Sequence, residues 1–242
     1  VAARAGVGVH WRDNQSGCKG VCEGLPQDEV NQLKEAAALC TEGRCLDEGL
    51  LLGLPERITA LAATAPAQAG TQLLVLHMLG NHGPSYFRRY PPAFERFKPA
   101  CQKDDLRLCS RDEITNAYDN ALLYTDHVLA LLVKQLQAAS SQVDAAVLYA
   151  SDHGESLGEN NLFLHGLPYA IAPDMQTRVP MVLWLSPGLA QGPGAMDTAC
   201  LQKRAAQPAA HDHLFHTLLG LLDVKTALYE PAFDLTRDCR AP

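Results

Sequence analysis

Two short apolar runs, each followed at once by polar residues, constrain the fold of this chain most. Residues 72–79 read QLLVLHML and residues 145–150 read AAVLYA. Runs of this kind are typical of strands buried on both faces of a parallel sheet. Helical patterns separate them, the longest over about residues 110–138, where Ser110 and Glu113 form a capping-box motif. The pattern predicts an α/β fold, an αβα sandwich with a mainly parallel central sheet.

The other elements follow from the same periodicities. Pro55 lies within a helical region and must either kink it or begin a new helix at its first turn. The predicted elements are a strand at 6–11, helices at 27–39 and 47–64, a connector at 65–71, a strand at 180–185, a Gly/Pro loop at 188–198 and a helix at 211–222.

Side chains suited to metal binding follow both apolar runs. His82 comes after the first run, and Asp152, His153 and Glu155 come after the second. In open α/β sheets, ligands bind in the crevice beyond the carboxyl ends of the strands. Zinc takes His nitrogen and carboxylate oxygen, so these residues predict a metal site. The alternative is that Asp152 caps a turn and that both histidines are ordinary loop residues.

Composition excludes a nucleic-acid surface. The formal net charge of the 242 residues is −7, whereas phosphate-backbone binding requires clustered Lys and Arg. A local basic cluster comprises Arg88, Arg89, Arg96 and Lys98. We interpret this cluster as a solvated face, with an anionic head group as the alternative partner.

The chain has eight cysteines, an even number that favours disulfides. Three pairs are close in sequence, and the two remaining cysteines are free to pair across the C-terminal segment. The predicted pairs are Cys18 with Cys22, Cys40 with Cys45, and Cys101 with Cys109, and the pairing of Cys200 with Cys239 stays open. A structural zinc site is the alternative, but no C-x-x-C motif occurs. Disulfides indicate an oxidising compartment such as the periplasm.

The chain start and its hydropathy predict a piece of a longer protein. No window approaches the roughly 18 consecutive apolar residues of a membrane-spanning helix. The first residues, VAARAGVGVHW, contain no Met, basic region or cleavage site of a signal peptide. An oxidised protein without an export signal is expected to be cut from a longer one.

Four stretches together resemble one family. They are SDHGESLGENNLFLHGLPYAIAP, LHMLGNHGPSYFRRYPPAFERFKPAC, WRDNQSGCKGVC and CTEGRCLDE. They resemble the periplasmic catalytic domain of phosphoethanolamine transferases that modify lipid A, in the alkaline phosphatase/sulfatase-like superfamily. That group includes the mobile colistin-resistance enzymes. The resemblance implies a single domain over residues 1–242, the C-terminal portion of that catalytic domain, with its N-terminal part missing.

The resemblance also implies an activity. The family transfers phosphoethanolamine from phosphatidylethanolamine to a lipid A phosphate, uses zinc and a phosphorylated threonine, and confers resistance to cationic polymyxin peptides. The implied place is the periplasmic face of the bacterial inner membrane, with attachment through a missing N-terminal membrane domain. We expect a monomer that does not bind nucleic acid.

The resemblance also implies roles for individual residues of this sequence. Asp152 and His153 match the family's zinc-binding pair, and Glu155 matches an acidic residue near the metal. In the family, the threonine and one further acidic zinc ligand lie upstream of the WRDN loop, and this sequence does not contain them. This fragment is therefore expected to be inactive by itself.

Three further residues match positions around the transferred group. His82, in the GNHGP turn, and His165, in the LHGLP turn, match histidines around phosphoethanolamine or a second zinc, where either can protonate a leaving alkoxide. Lys19 matches a lysine that meets the substrate phosphate, with an ordinary exposed loop lysine as the alternative. Two rival functions remain: a related sulfatase or phosphodiesterase, although the C-x-P-x-R sulfatase signature is absent, and a non-enzymatic periplasmic module that binds anionic lipid.

Overall fold

Strands and helices alternate along much of the chain, as predicted. The computed structural model describes residues 1–64, 70–192 and 194–240. The strands are β1 Gly8–Asp13, β2 Gln27–Glu29, β3 Cys40–Thr41, β4 Arg44–Cys45, β5 Gln72–His77, β6 Ala146–Ala150, β7 Ser156–Leu157, β8 Phe163–Leu164 and β9 Met181–Leu185. The α-helices are α1 Leu54–Ala63, α2 Arg111–Ala138, α3 Asp174–Thr177, α4 Pro187–Gln191, α5 Thr198–Ala205 and α6 Asp212–Leu221.

Strand β1 lies at the centre of a parallel sheet with β2 on one side and β5 on the other. Its pairing with β5 runs from Gly8 opposite Gln72 to Asp13 opposite His77. The two strands therefore end at the same level. The loops that follow them leave from one edge of the sheet, which is the edge where ligand sites form in α/β proteins.

The strand predicted at 145–150 forms, but its partner runs in the opposite direction. Strands β6 and β9 are antiparallel, with Val147 opposite Trp184. These two residues pack against the cluster built on α2, so one face of the pair is covered. Residues 145–150 were predicted to be buried on both faces, yet Ala146 is exposed, and Val182 of the partner strand β9 is 50% exposed. The reason is that, in the described part of the chain, β6 and β9 pair only with each other.

Helix α2 organises the largest core. Its N-terminus carries the predicted capping box, because Ser110 and Glu113 each bond to the backbone of the other. Five α2 residues pack against Leu54 and Ile58 of α1, which begins with Pro55 in its first turn. They are Ala121, Tyr124, Val128, Leu132 and Leu136.

Two predicted elements are wrong. Residues 27–39 form strand β2 and two 3-10 turns, Val30–Gln32 and Lys34–Leu39, in place of one helix. Pairing of β2 with β1 accounts for the change, because it ties the start of the segment to the sheet. Part of the predicted 188–198 loop is helix α4. In the predicted connector at 65–71, residues 65–69 lie outside the described residues.

The three predicted local disulfides are present, namely Cys18–Cys22, Cys40–Cys45 and Cys101–Cys109, and the pairing that the sequence left open, Cys200–Cys239, is also formed. Three of them close short surface loops, and the fourth joins α5 to the C-terminal segment. Within the described ranges, no helix has both the length and the apolar character needed to cross a membrane.

Candidate metal centre

Three histidines from three different loops meet at the edge of the sheets. His82 follows β5, His153 follows β6, and His165 follows β8. One ring nitrogen from each lies within 4.8 Å of the other two. The rings of His153 and His165 stack with centroids 3.6 Å apart, and the ring of His82 meets that of His165 edge-on at 5.1 Å. The sequence therefore predicted all three members of this cluster.

Each imidazole is held by its Nδ1 atom. His82 Nδ1 lies 2.7 Å from the carbonyl oxygen of Gly83, and His153 Nδ1 lies 3.0 Å from that of Gly154. His165 Nδ1 lies 2.8 Å from the Glu155 carboxylate. Carbonyl and carboxylate oxygens only accept, so each Nδ1 carries the proton and each Nε2 presents a lone pair. This is the arrangement of histidines that bind metals in proteins.

Glu155 fixes the third histidine from behind. Its side chain is 3% exposed, and it accepts hydrogen bonds from His165 Nδ1 and, at 2.7 Å, from the Tyr86 hydroxyl. Burial and the Glu155 charge raise the pKa of Tyr86, which keeps the phenol a neutral donor. The short β7–β8 hairpin brings His165 back beside Glu155. Glu155 thus orients a ring and does not face the cluster as a ligand.

Asp152 stands apart from the three histidines. Its carboxylate is 79% exposed, and Oδ1 lies 3.8 Å from His153 Nε2. The same oxygen accepts a hydrogen bond from the His153 backbone N–H at 3.0 Å, which is the turn-capping role of the alternative interpretation. The predicted Asp152–His153 pair is therefore adjacent, with His153 alone inside the cluster.

Lys19 lies in the loop after β1 and does not join the cluster. Its side chain is exposed, and Nζ donates to Ser16 Oγ at 3.2 Å. The loop itself is anchored by Asp13, which accepts the backbone N–H groups of Gln15 and Gly17. The Cys18–Cys22 disulfide closes the loop on the other side of Lys19.

The donor set fits zinc. Zinc accepts neutral imidazole nitrogen at about 2.0–2.1 Å in a tetrahedral arrangement, which requires nitrogens about 3.3 Å apart. The three nitrogens need only small rotations from their present spacing of at most 4.8 Å. Three protein ligands with a fourth position open is the composition of a catalytic zinc site.

Two further residues hold the site: Tyr86, which was not singled out in the sequence, and Arg89, which was named there only as part of a basic cluster. Tyr86 binds Glu155, and Arg89 donates from Nε to the carbonyl oxygen of His82 at 2.8 Å. Interpretation of the basic cluster as a solvated face is therefore wrong for Arg89, although Arg88 beside it is exposed. The nearest sequence signal for Tyr86 and Arg89 was their position directly after the GNHGP turn, which carries His82.

His211, the residue before α6, and His213 and His216 within α6 lie outside the histidine cluster. His211 Nε2 lies 2.7 Å from the carbonyl oxygen of Ser151, next to Asp152. His216 Nδ1 accepts the backbone N–H of Glu230 at 2.9 Å. These residues support neighbouring segments and offer no common ligand position.

An α/β fold with a metal-ligand cluster beyond its strand ends is the architecture of enzymes that act on phosphate and sulfate esters. The family model for Sulfatase matches residues 1–224, so the chain belongs to the sulfatase family.

The similarity to individual proteins indicates a narrower group within the sulfatase family. The chain is 43% identical over 241 residues to the phosphoethanolamine transferase EptA of Salmonella typhimurium, covering 99% of this chain and 42% of the relative. It is 41% identical over 226 residues to the phosphatidylethanolamine transferase Mcr-1 of Escherichia coli, covering 91% of this chain and 39% of the relative. The chain thus spans less than half the length of these curated relatives.

A solved structure agrees closely. The soluble domain of lipooligosaccharide phosphoethanolamine transferase A from Neisseria meningitidis superposes with a TM-score of 0.90 at 40% identity, covering 100% of this chain and 70% of that one. The predicted resemblance to phosphoethanolamine transferases and the predicted sulfatase-like fold are both confirmed.

Proposed function

We propose that this chain is part of a zinc-dependent phosphoethanolamine transferase that moves phosphoethanolamine from phosphatidylethanolamine to a phosphate of lipid A. One observation carries the proposal: three imidazoles, each with Nδ1 bonded to an oxygen acceptor, bring one ring nitrogen each within 4.8 Å of the other two. The relatives named above supply the donor and the transferred group. The lipooligosaccharide named for the meningococcal protein supports a lipid A acceptor.

In this proposal, His82, His153 and His165 would hold the zinc and leave one position open, and Asp152 would occupy that position only when no substrate oxygen does. Bound zinc polarises a phosphoryl oxygen and lowers the pKa of a coordinated nucleophile. Glu155 keeps the proton of His165 on Nδ1, so Nε2 stays available to accept a proton or to bind metal. Lys19 neutralises phosphate charge from the loop after β1.

The group is transferred in two steps through a covalent intermediate on a threonine. A threonine oxygen forms a bond to the phosphorus of phosphoethanolamine, and the bond to the diacylglycerol oxygen breaks as that oxygen gains a proton. In the second half, an acceptor phosphate oxygen forms a bond to the same phosphorus, and the bond from phosphorus to the threonine oxygen breaks as that oxygen recovers its proton. We propose that this threonine lies outside the 242 residues, that these residues alone do not turn over, and that the whole enzyme confers polymyxin resistance.

A periplasmic location, at the inner membrane where both lipids occur, fits the chemistry. Four disulfides require an oxidising compartment, and the cytosol is a reducing one.

The sulfatase-family match favours one rival, a hydrolase that sends the group to water. A hydrolase and a transferase differ in the product, so a single assay separates them. The non-enzymatic rival predicts no product of either kind.

The test uses a purified chimera in which residues 1–242 replace the matching region of Salmonella EptA. Detergent micelles supply labelled phosphatidylethanolamine and lipid A, and mass spectrometry identifies the product. We expect phosphoethanolamine on lipid A, an activity at least about 100-fold lower for His165→Ala, and none for the 242-residue chain alone.

His127→Ala is the matched control, because His127 lies on α2 and pairs with Glu48 away from the cluster. Its activity should stay within about twofold of the unsubstituted chimera. Free phosphoethanolamine as the main product would establish the hydrolase. No product from a chimera with a full complement of zinc would refute catalysis by this chain.

A further inference from the structure

A cavity of about 330 Å³ adjoins the histidine cluster and shares His82 as a wall. It lies between the loop after β1, the β3–β4 hairpin and the turn after β5. Its polar lining includes Asn14, Gln15, Glu29, Asn31, Arg44 and Arg89. Nothing in the transfer described above uses this space, although the reaction involves two phosphate groups at once.

Arg44 is presented to the cavity by a braced hairpin. Strands β3 and β4 pair through Cys40 opposite Cys45, and a disulfide joins the same two residues. Glu42 and Gly43 form the turn with positive φ angles of 53° and 75°. In the described part of the chain, the Arg44 guanidinium makes no hydrogen bond or ion pair. The CTEGRC motif therefore fixes the backbone of an exposed arginine whose charge acts on Asp104 and Arg89 without a direct hydrogen bond among the described residues.

Arg89 supplies a second guanidinium on the other side. Its Nε is bonded to the His82 carbonyl oxygen, while its two terminal nitrogens form no hydrogen bond within the described residues. Burial lowers the pKa of Arg89, the nearby Asp47 charge opposes this, and the charges of Arg44 and Arg88 lower it further. The charges of Arg44 and Arg88 therefore act on Arg89, and Arg44 and Arg89 line the cavity together with the acidic Asp13 and Glu29.

Several acidic and amide groups of the lining are already engaged within the protein, and Glu29 accepts a hydrogen bond from Gln32 Nε2 at 2.9 Å. Asp13 accepts from Trp11 Nε1, His77 Nδ1 and two backbone N–H groups, so its charge is well balanced. Asn14 Nδ2 donates to Cys45 and Asp47, and Gln15 Nε2 donates to Met78.

These bonds leave the side-chain oxygens of the two amides as acceptors for a ligand. The guanidinium groups of Arg44 and Arg89 remain as donors. Guanidinium groups recognise phosphate through paired hydrogen bonds, and amide oxygens suit sugar hydroxyls.

We propose that this cavity binds a sugar phosphate monoester, with Arg44 and Arg89 on the phosphate and the amide oxygens of Asn14 and Gln15 on the sugar. The assignment as acceptor subsite rests on the proposed function. The histidine cluster then receives the transferred group, and the cavity holds the acceptor phosphate beside it. Placing the two phosphates on opposite sides of His82 converts the transfer into a reaction between neighbouring groups.

Titration of the 242-residue chain with glucosamine 1-phosphate, in the presence of EDTA, tests the site without the metal centre. Binding is followed by ³¹P NMR. Arg44→Ala should raise Kd at least about tenfold, the loss expected for a charge-assisted hydrogen-bond pair. Glucosamine, which lacks the phosphate, should show no saturable binding.

Arg88→Ala is the matched control. Arg88 lies next to Arg89, but it pairs with Glu42 and Asp104 and does not line the cavity. Its Kd should stay within about twofold of the unsubstituted chain.

Equal effects of the two substitutions, or no saturable binding at all, would overturn the proposal. Tighter Arg44-dependent binding of phosphoethanolamine would make the cavity a donor site and would also overturn it. The titration involves no lipid and no transfer. A failed chimera assay with a positive titration would therefore reject the proposed function alone, and the reverse result would reject the acceptor subsite alone.

Discussion

At the scale of single residues, the sequence identified Glu155 as a residue of the site but did not show what its side chain does there. The sequence places it near a metal, and the structure buries it between His165 and Tyr86. A carboxylate that accepts from Nδ1 strengthens the opposite nitrogen as a ligand and fixes the ring plane. The sequence could not separate a ligand from a carboxylate that orients a ligand, because both roles use the same side chain a few residues from the histidine.

Glu155→Gln should weaken zinc binding by about tenfold. The amide keeps an oxygen for His165 Nδ1 but loses the charge that makes the imidazole a stronger donor to metal. The measurement is competitive zinc titration against a chelating dye. Glu159→Gln is the control, since Glu159 bonds to the Leu157 backbone and Arg111 and does not touch the cluster. Equal affinity in the two variants would show that Glu155 only fills space.

At the scale of elements, the site depends on how two strand ends are tied together. Asp13 ends β1, His77 ends β5, and a 2.7 Å hydrogen bond joins their side chains. Asp13 also anchors the loop that carries Lys19, and it is 4% exposed. The apolar character of each segment was enough to predict strands β1 and β5, because local burial decides whether a strand forms. The bond between the strand ends requires the register, which only long-range pairing sets.

Asp13→Asn should lower the free energy of unfolding by about 1–3 kcal/mol at pH 7, because the amide cannot accept from all the donors around Asp13. Burial raises the pKa of Asp13, but hydrogen bonds from His77 and Trp11 outweigh it, and the net pKa lies below the ordinary 3.8. The charged form therefore stabilises the fold above pH 3.8, and this contribution fades as the pH falls further.

The difference between the Asp13→Asn variant and the unsubstituted chain should thus shrink as the pH falls from about 4 toward 2. Urea unfolding at several pH values measures it. Asp223→Asn, at an exposed site paired with Lys225, is the control and should change stability by less than about 0.5 kcal/mol. A gap for Asp13→Asn that stays constant with pH would contradict the assignment of charge to Asp13.

At the scale of the whole molecule, disulfides tie the surface to several small cores. The buried apolar residues fall into four clusters within the described ranges. Cys101–Cys109 lies beside one of these clusters and Cys40–Cys45 beside another. Cys200–Cys239 spans 39 positions and closes the C-terminal segment onto α5. Cross-links of long loops remove more freedom from the unfolded chain than those of short loops.

Replacing Cys200 and Cys239 by serine should therefore cost about 4 kcal/mol of unfolding free energy, against about 2 kcal/mol for Cys18 and Cys22. The comparison is matched for burial, because Cys239 is 3% exposed and Cys22 is 1% exposed. Urea unfolding of the two double variants measures both losses. A larger loss for the Cys18–Cys22 pair would mean that native-state contacts, not loop length, set the contribution.

The sequence by itself determined the α/β class, the long helix with its cap, the close cysteine pairs and the histidines that follow strands. Each of these features depends on residues that are close together in the sequence: apolar runs, a 3.6-residue period, capping residues and short cysteine spacings. Tertiary structure alone decided the antiparallel direction of β9, the loss of helix at 27–39, the exposure of Asp152 beside His153 and the placing of Arg44 and Arg89 in the lining of one cavity. These features depend on which distant segments pack together, and burial energy shared among segments overrides the preference of any one of them.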